Sequence, residues 1–480
     1  MTDRSRKAIY YILALLIAIA GISLRVLYYS YARPFWNDES ALAINLVNRS
    51  FSELWLPLDY EQFTPPLYAC FCKLCALFIQ NREYAFRLPA LLFGIMSVPL
   101  FYFFSCKVIK NYAGRIFALL LFAFNYQLIY YSQELKQYSC DVFMFLAVLL
   151  SYFFIDKEKN DIKKLIAFNL LFSLSFWFSY TAVFAVFILG LLCIRYGKKT
   201  LLSLFSLPFI SGLLLIFYTK RFHTNAMLND FWSGGFIEHN FSNIKNLINT
   251  NLIFYFSDFP SKLFIILLFI AGIILLFKKF KNKEYPVVGV SFVFALVLSY
   301  CGIYPLYLRT AIYILPLFFI ILALPFEYSG VKNKLVSYFV AAFLFAHFFV
   351  CTFKTDYLQI IKKQYYTENT KELLALFAER SKPQDILIVP NLTGINFEYY
   401  KSFVNLSGRQ IFVLKKQLFE YKDIKNAYDT LDKGRTYYIL FTHSADKPYV
   451  YKNLCAYAEE HKNTEIFSDK NYNALIKFAK

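Results

Sequence analysis

The sequence predicts a polytopic α-helical membrane protein of about eleven transmembrane helices, followed by a C-terminal extracytoplasmic α/β domain. Three observations carry this fold class. The 480 residues are 58% hydrophobic and 17% charged, where soluble domains carry about 25% charged residues, and the mean hydropathy is +0.44. The apolar residues fall in long runs. The basic residues occupy short segments between those runs. A cytosolic enzyme, a disordered chain, a collagen and a disulfide scaffold are all excluded by this composition.

A spanning helix needs about 20 mostly apolar residues. Runs near Ala8–Tyr29, Leu88–Cys106, Ile116–Tyr131, Val142–Ile155, Leu165–Ser179 and Thr181–Ile194 are the first six candidates. Leu201–Tyr218, Lys262–Phe277, Tyr285–Cys301, Thr310–Pro325 and Leu335–Cys351 bring the count to eleven. Leu165–Ser179 and Thr181–Ile194 could form one tilted span, but reading them as two places both flanking basic loops on one side.

The net charge is +19. On a folded domain such an excess would suggest nucleic acid. Here, 19 of the 51 Lys and Arg lie in six short segments beside apolar runs: Arg4/Arg6/Lys7, Lys107/Lys110/Arg115, Lys157/Lys159/Lys163/Lys164, Arg195/Lys198/Lys199, Lys278/Lys279/Lys281/Lys283 and Lys332/Lys334. Short basic loops mark the cytoplasmic side of a membrane. The charge therefore reports topology, and no nucleic-acid partner is expected. Pro66–Ile79 is apolar but only about 14 residues long, with Lys73 in its middle, and counting it as a span would invert every later basic loop. It reads as an interfacial or re-entrant helix.

The expected layout has a cytoplasmic N-terminus in the inner (plasma) membrane. Its outer segments are Tyr31–Arg87, Ser132–Asp141, Lys220–Ser261, Gly302–Arg309 and everything after Thr352. No small-residue cleavage pattern follows the first run, which reads as an anchor. Residues 1–352 form the expected membrane domain, and 353–480 the extracytoplasmic one. In the latter, short apolar bursts at Asp385–Val389, Gln410–Leu414 and Tyr437–Phe441 read as strands, and Thr370–Glu379 as a helix.

Cys70, Cys72 and Cys75 have metal-like spacing but no companion ligands in the sequence. His223 and His239 lie in an outer loop without supporting ligands. No metal site is expected from these residues.

Two acidic clusters fall outside on this topology. One is Asn37-Asp38-Glu39-Ser40, shortly after the first span. The other runs from Ser132-Gln133-Glu134 through Lys136 and Tyr138 to Asp141. Carboxylates this close to a bilayer are costly and face polar cavities, although helix caps and solvated loop charges account for many such residues.

The order Asp38-Glu39-Ser40, then Thr64-Pro65-Pro66-Leu67-Tyr68, then Arg87-Leu88-Pro89-Ala90-Leu91-Leu92-Phe93-Gly94, then Tyr130-Tyr131-Ser132-Gln133-Glu134, resembles bacterial GT-C glycosyltransferases. These are relatives of the protein O-mannosyltransferases and the ArnT-like lipid A aminoarabinose transferases. The resemblance is strong over about residues 9–155, looser through the later spans and architectural in the C-terminal domain. It implies hexosyl or pentosyl transfer from a polyprenyl-phosphate-linked sugar to an acceptor glycan, lipid or protein at the outer face. It also implies that the catalytic carboxylate maps onto Asp38, with Glu39 beside it, and that Glu134 or Asp141 is the matching acid of the second loop. Aminoarabinose transferases place a basic residue where this sequence has Thr64, a departure that bears on donor-phosphate binding and on the sugar.

The chemistry suits these residues independently. Inverting transfer needs one base for the acceptor hydroxyl while the sugar passes through an oxocarbenium-like state. A lipid phosphate is a stable leaving anion, so cations rather than a general acid must meet its developing charge. Arg87, Lys136 and Arg309 are the candidate cations, with Tyr138 as a further substrate-binding residue. A divalent cation bridging Asp38 or Glu39 to phosphate is compatible with the chemistry, and no spacing singles it out. The rival readings are a lipid or solute transporter and a non-catalytic subunit that binds the polyprenyl carrier.

Overall fold

A computed structural model describes residues 3–155, 161–220, 233–237, 241–256, 262–327, 342–343, 346, 368–442, 448–469 and 471–480. Lys157, Lys159, Lys332, Lys334, His223, His239 and most of the expected span Leu335–Cys351 lie outside the described residues. The chain divides into two compact units. One comprises Met1–Tyr31 and Phe63–Ile361, the other Ala32–Gln62 and Lys362–Lys480. Residues 32–62, expected with the membrane domain as an outer loop, thus group with the C-terminal segment.

In chain order the helices begin with α1 (Asp3–Tyr29), α2 (Asn37–Asn48), α3 (Pro66–Cys75), α4 (Arg82–Val108) and α5 (Tyr112–Ala123). They continue with α6 (Tyr126–Tyr130), α7 (Tyr138–Ser151), α8 (Ile162–Phe178), α9 (Ala182–Cys193) and α10 (Lys198–Thr219). Next come α11 (Phe241–Phe256), α12 (Lys262–Lys278), α13 (Tyr285–Tyr300) and α14 (Leu315–Ala323). All but α2 belong to the first unit. Among the described residues, four helices are long and apolar enough to cross a membrane: Lys7–Tyr29, Arg82–Val108, Lys198–Thr219 and Leu308–Glu327. The pair Tyr112–Ala123 and Tyr126–Gln133, bent by 52°, makes a fifth if it counts as one crossing. The remaining apolar helices among the described residues are shorter, so the expected count of eleven spans is not confirmed. The architecture is that of a membrane protein.

Several expected helices take the places assigned to them. The Tyr84 hydroxyl donates to the Ser30 carbonyl at 2.7 Å, and the Tyr29 hydroxyl to the Tyr84 carbonyl at 2.8 Å. The start of α4 therefore meets the end of α1, and the chain between them leaves and returns at one end of the bundle. Helix α3, with 10 residues, is about 15 Å long, half a hydrocarbon core of about 30 Å. It does not cross. Ser179 and Thr181 separate α8 from α9, so this pair is a helical hairpin rather than one tilted span.

The basic loops gather at the opposite end. The Glu327 carboxylate accepts the backbone N–H groups of Lys110 and Asn111 at 2.6 and 2.5 Å, and lies 3.6 Å from the Lys279 ammonium. Arg195 donates to the Tyr152 hydroxyl, Lys283 lies over the Tyr152 ring, and Lys107 lies over Phe154.

The bend between α5 and α6 has a local cause. Asn125 caps α6 by accepting the Leu128 N–H at 3.2 Å, and such a cap in mid-run stops one helix and starts another. That leaves the last carbonyls of α5 without intrahelical partners. Arg25, buried within α1, supplies donors to the Ala123 carbonyl at 2.9 Å and the Phe122 carbonyl at 3.4 Å, and to Gly21 in its own helix at 2.8 Å. Helix α1 approaches closely because residue 21 is glycine: a Cβ there would sit 2.8 Å from the Ala123 Cβ.

The second unit holds a sheet of β1 (Ile386–Val389), β2 (Gln410–Val413), β3 (Thr436–Phe441), β4 (Lys462–Ser468) and β5 (Ala474–Ala479), ordered β2-β1-β3-β5-β4. Strand β1 pairs in parallel with β2 and β3, while β5 is antiparallel to β3 and β4. The three expected apolar bursts became β1, β2 and β3; β4 and β5 were not anticipated. Helices α15 (Thr370–Arg380), α16 (Gly394–Tyr400), α17 (Tyr421–Tyr428) and α18 (Pro448–Glu459) accompany the sheet. Ile388, Ile439, Phe441, Leu454, Ile476 and Phe478 are part of its core. Helix α2 packs on α16: the Phe35 N–H donates to the Tyr400 hydroxyl at 2.7 Å, and the Phe35 and Tyr399 rings meet edge to face.

Replacing Arg25 by Ala would strip the donors from the α5 carbonyls. A hydrogen bond to a charged group contributes about 1.5–3 kcal/mol in water and interhelical bonds in bilayers somewhat less, so a loss of roughly 1–3 kcal/mol is expected. Thermal unfolding of the detergent-solubilised protein measures it, and Arg25→Lys should recover part of the loss.

Candidate active site

Five of the eight sequence-predicted site residues share one end of the first unit. After α6, a 3-10 turn at Tyr131–Gln133 delivers Glu134, Lys136, Tyr138 and Asp141 in succession. The turn is pressed against α4 at Gly94, where a Cβ would fall 2.4 Å from the Ser132 Cβ. The Lys136 N–H folds back to the Glu134 carbonyl at 2.7 Å, and the Tyr68 hydroxyl of α3 donates to the Lys136 carbonyl at 2.7 Å. Arg309 comes from another element, and its guanidinium lies 6.0 Å from the Tyr138 ring centroid. Tyr138 meets Tyr131 edge to face at 4.9 Å, and the charges of Glu134 and Arg309 both act on Tyr131. Glu134, Tyr131, Tyr138 and Arg309 thus form one cluster.

Asp141 is placed differently. It is 4% exposed, and it accepts the Ser179 hydroxyl at 2.6 Å; Ser179 in turn lies 3.0 Å from the Thr181 hydroxyl. This carboxylate ties α7 to the α8–α9 turn. Arg87 is buried on α4, within electrostatic reach of the Tyr29 hydroxyl. Thr64 is also buried, and its carbonyl accepts the Tyr180 hydroxyl at 3.3 Å.

The position of Arg309 depends on residues that sequence reading passed over. Asn251 of α11 donates to the Leu306 carbonyl and accepts the Leu308 N–H, both at 2.8 Å. The Tyr255 hydroxyl donates to the Leu308 carbonyl. Leu308 has φ +47°, a left-handed conformation that needs such outside support. Helix α11 lies inside the stretch Lys220–Ser261 that was expected to be an outer loop. Its signal was present: Ile244, Leu247, Ile248, Asn251, Leu252 and Tyr255 recur at helical spacing and line one wall of an apolar cavity of ≈460 Å³. Phe269, Phe292 and Phe318 line it from α12, α13 and α14, with Leu306 and Ala311 near Arg309.

Asp38 and Glu39 belong to the second unit, in the first turn of α2. An extended segment would send them to opposite faces, but the turn is helical, so they project about 100° apart. Glu39 is fully buried, 3.7 Å from the Arg33 guanidinium, and accepts the Trp36 N–H at 3.4 Å. Asp38 is half-buried. The amino end of a helix favours negative charge. Among the described residues, no group of three or more His, Cys, Asp or Glu is arranged to hold a metal ion. Cys70, Cys72 and Cys75 are free thiols on α3.

No protein-family model and no curated protein matches the sequence. Solved structures do. ArnT from Cupriavidus metallidurans, bound to undecaprenyl phosphate, aligns with a TM-score of 0.51 at 10% identity, over 99% of this chain and 98% of that one. The apo oligosaccharyltransferase of Archaeoglobus fulgidus aligns with a TM-score of 0.54 at 10% identity, over 96% of this chain and 73% of that one. The chain has the GT-C fold. The resemblance expected from the short motifs of residues 9–155 is thereby matched across nearly the whole length. Within this fold, the acidic loop lies between α6 and α7 and is pressed against α4.

Ser179→Ala should expose the structural role of Asp141. It would remove one of the two hydroxyls, Ser179 and Thr181, that serve the buried Asp141 carboxylate, at a cost of about 1–3 kcal/mol. Thermal unfolding in detergent would read this as a lowered midpoint, and Ser179→Thr should restore much of it.

Proposed function

We propose that this protein is an integral-membrane glycosyltransferase that moves a sugar from a polyprenyl-phosphate carrier to an acceptor glycan, lipid or protein. The observation that carries this reading is the GT-C fold shared with ArnT bound to undecaprenyl phosphate and with an oligosaccharyltransferase. The first unit adds chemistry that suits such a donor. Arg309 stands at the acidic end of the bundle, flanked in sequence by Leu306 and Ala311 of the apolar cavity. An amphiphile with one anionic group and a long hydrocarbon chain matches a cation beside an apolar cavity. Arg309 and Lys136 are assigned to the phosphate, where charge develops as the sugar departs. Arg87 is assigned a supporting cationic role.

Asp38 is assigned as the base that takes the acceptor's proton. Of the two adjacent acids it is the more exposed, whereas Glu39 is held by Arg33 and the Trp36 N–H. In the second loop Glu134 is the acid assigned to the substrate, because Asp141 is occupied by Ser179. With attack by the acceptor hydroxyl opposite the leaving phosphate, the anomeric centre inverts. The basic loops at one end of the bundle support a cytoplasmic placement of that end. On this reading the acidic loop and the reaction are assigned to the outer face of the plasma membrane, and the C-terminal sheet is extracytoplasmic.

Transfer from a radiolabelled polyprenyl-phosphate sugar, followed alongside donor binding, tests the assignment. Asp38→Asn should lower turnover by about 10²–10⁴-fold with donor affinity unchanged. Arg309→Ala should weaken donor binding itself. Near wild-type transfer by a folded Asp38→Asn protein would remove Asp38 as the base and turn attention to Glu134.

A further inference from the structure

Tyr131 is held at the acidic end by three aromatic neighbours, and its hydroxyl takes no part in the hydrogen bonds of the fold among the described residues. Its ring packs against Tyr130 at 5.1 Å, Tyr138 at 4.9 Å and Phe254 of α11 at 6.4 Å. The residue is 6% exposed. Three aromatic neighbours leave the ring no freedom to swing toward solvent, so the hydroxyl is fixed in direction. Within the described residues the only side-chain hydrogen bond at Tyr131 is the one its backbone carbonyl accepts from Ser139, and its hydroxyl is not among the enclosed unpartnered polar atoms, so the oxygen is left for a ligand or water. Its surroundings are far from neutral: the Glu134 carboxylate and the Arg309 guanidinium act on it with opposite sign.

We propose that the Tyr131 hydroxyl is a donor-binding group, giving its hydrogen bond to the phosphate of the lipid-linked substrate beside Arg309. The inference rests on the transferase reading above and names a residue of that site which the motifs did not single out. Three arguments favour phosphate over another ligand. A phenol donates readily to an anionic oxygen, and charge-assisted bonds of this kind are short and strong. The Arg309 guanidinium lies 6.0 Å from the Tyr138 ring centroid, so an anion drawn to Arg309 comes to the Tyr131–Tyr138 edge. Phe254, which touches Tyr131, is followed by Tyr255, which both lines the apolar cavity and bonds the residue preceding Arg309. A lipid phosphate with its chain in that cavity therefore carries its head toward this hydroxyl.

Tyr131→Phe removes a single oxygen and keeps every ring contact, so its thermal midpoint should stay at the wild-type value. Binding is measured on the full-length protein in nanodiscs with undecaprenyl phosphate, undecaprenol and inorganic phosphate as probes. Loss of a hydrogen bond to a charged group predicts about tenfold or more weaker binding of undecaprenyl phosphate, with undecaprenol unaffected. Fluorotyrosine at position 131, a more acidic phenol, should shift the upper pH limit of undecaprenyl phosphate binding downward, which a purely packing role would not do. Wild-type affinity in Tyr131→Phe overturns the inference, as does equal weakening for undecaprenyl phosphate and undecaprenol. Inorganic phosphate binding as tightly as undecaprenyl phosphate would assign the hydroxyl to a free anion and overturn the lipid-linked form. Failure of the wild-type protein to prefer undecaprenyl phosphate over undecaprenol would instead overturn the transferase reading.

Discussion

A single guanidinium holds open the bend on which the acidic loop hangs. In an apolar bundle the carbonyls at the end of a helix have no water to turn to. Helix α5 nevertheless ends at Ala123 within an apolar run, three residues before α6 begins. Arg25 makes that ending tolerable by bringing donors from the neighbouring helix to the Phe122 and Ala123 carbonyls. The arrangement is reciprocal. A cation inside a membrane span is itself costly unless carbonyls or anions surround it, and the broken helix supplies them. Asn125 starts the next helix and reaches across to the Tyr255 carbonyl at 2.8 Å, so the same break that Arg25 stabilises also fixes α11, and α11 fixes Arg309. Charge placement at the acidic end is thus inherited from one buried residue a helical turn below it.

Neighbouring acids in this chain do different work because their backbones differ. Asp38 and Glu39 are adjacent on α2, yet one is half-buried and the other is locked in an ion pair with Arg33. Glu134 and Asp141 belong to one short loop and its following helix, yet Asp141 is committed to Ser179 while Glu134 lies among Tyr131, Tyr138 and Arg309. Identity of residue type says little about function here. The partner set separates a structural carboxylate from one proposed to meet substrate, and partner sets are assembled by tertiary contacts.

What could be read from the sequence followed from how strongly a local pattern constrains the chain. Long apolar helices such as α1, α4 and α10 announce themselves because burying a backbone in lipid demands about 20 apolar residues. Strands β1 to β3 were legible as apolar bursts bounded by polar turns. Strand β4 was not, since Lys462–Ser468 is mostly exposed or half-exposed and gains its place only by pairing with β5. Helix α11 escaped because Asn and Lys residues on its outer face lower the average hydropathy while its inner face keeps strict helical spacing. Arg25 carried a signal that went unread: a lone cation in an apolar run requires partners somewhere. The role proposed for the Tyr131 hydroxyl could not have been found without coordinates, because the quoted Tyr-Tyr-Ser-Gln-Glu motif says nothing of what each oxygen meets.

The Glu327 contacts at the basic end have an implication for biogenesis. This carboxylate seats the amides of Lys110 and Asn111 across 217 and 216 positions of sequence, whereas the Tyr84–Ser30 bond closes over only 54. A nascent chain can therefore join α1 to α4 early, soon after both have left the ribosome. The start of α5 must wait until residue 327 has been synthesised and threaded into the bilayer. Until that late clasp shuts, the amides of Lys110 and Asn111 at the basic end lack their carboxylate partner and depend on water for their hydrogen bonds.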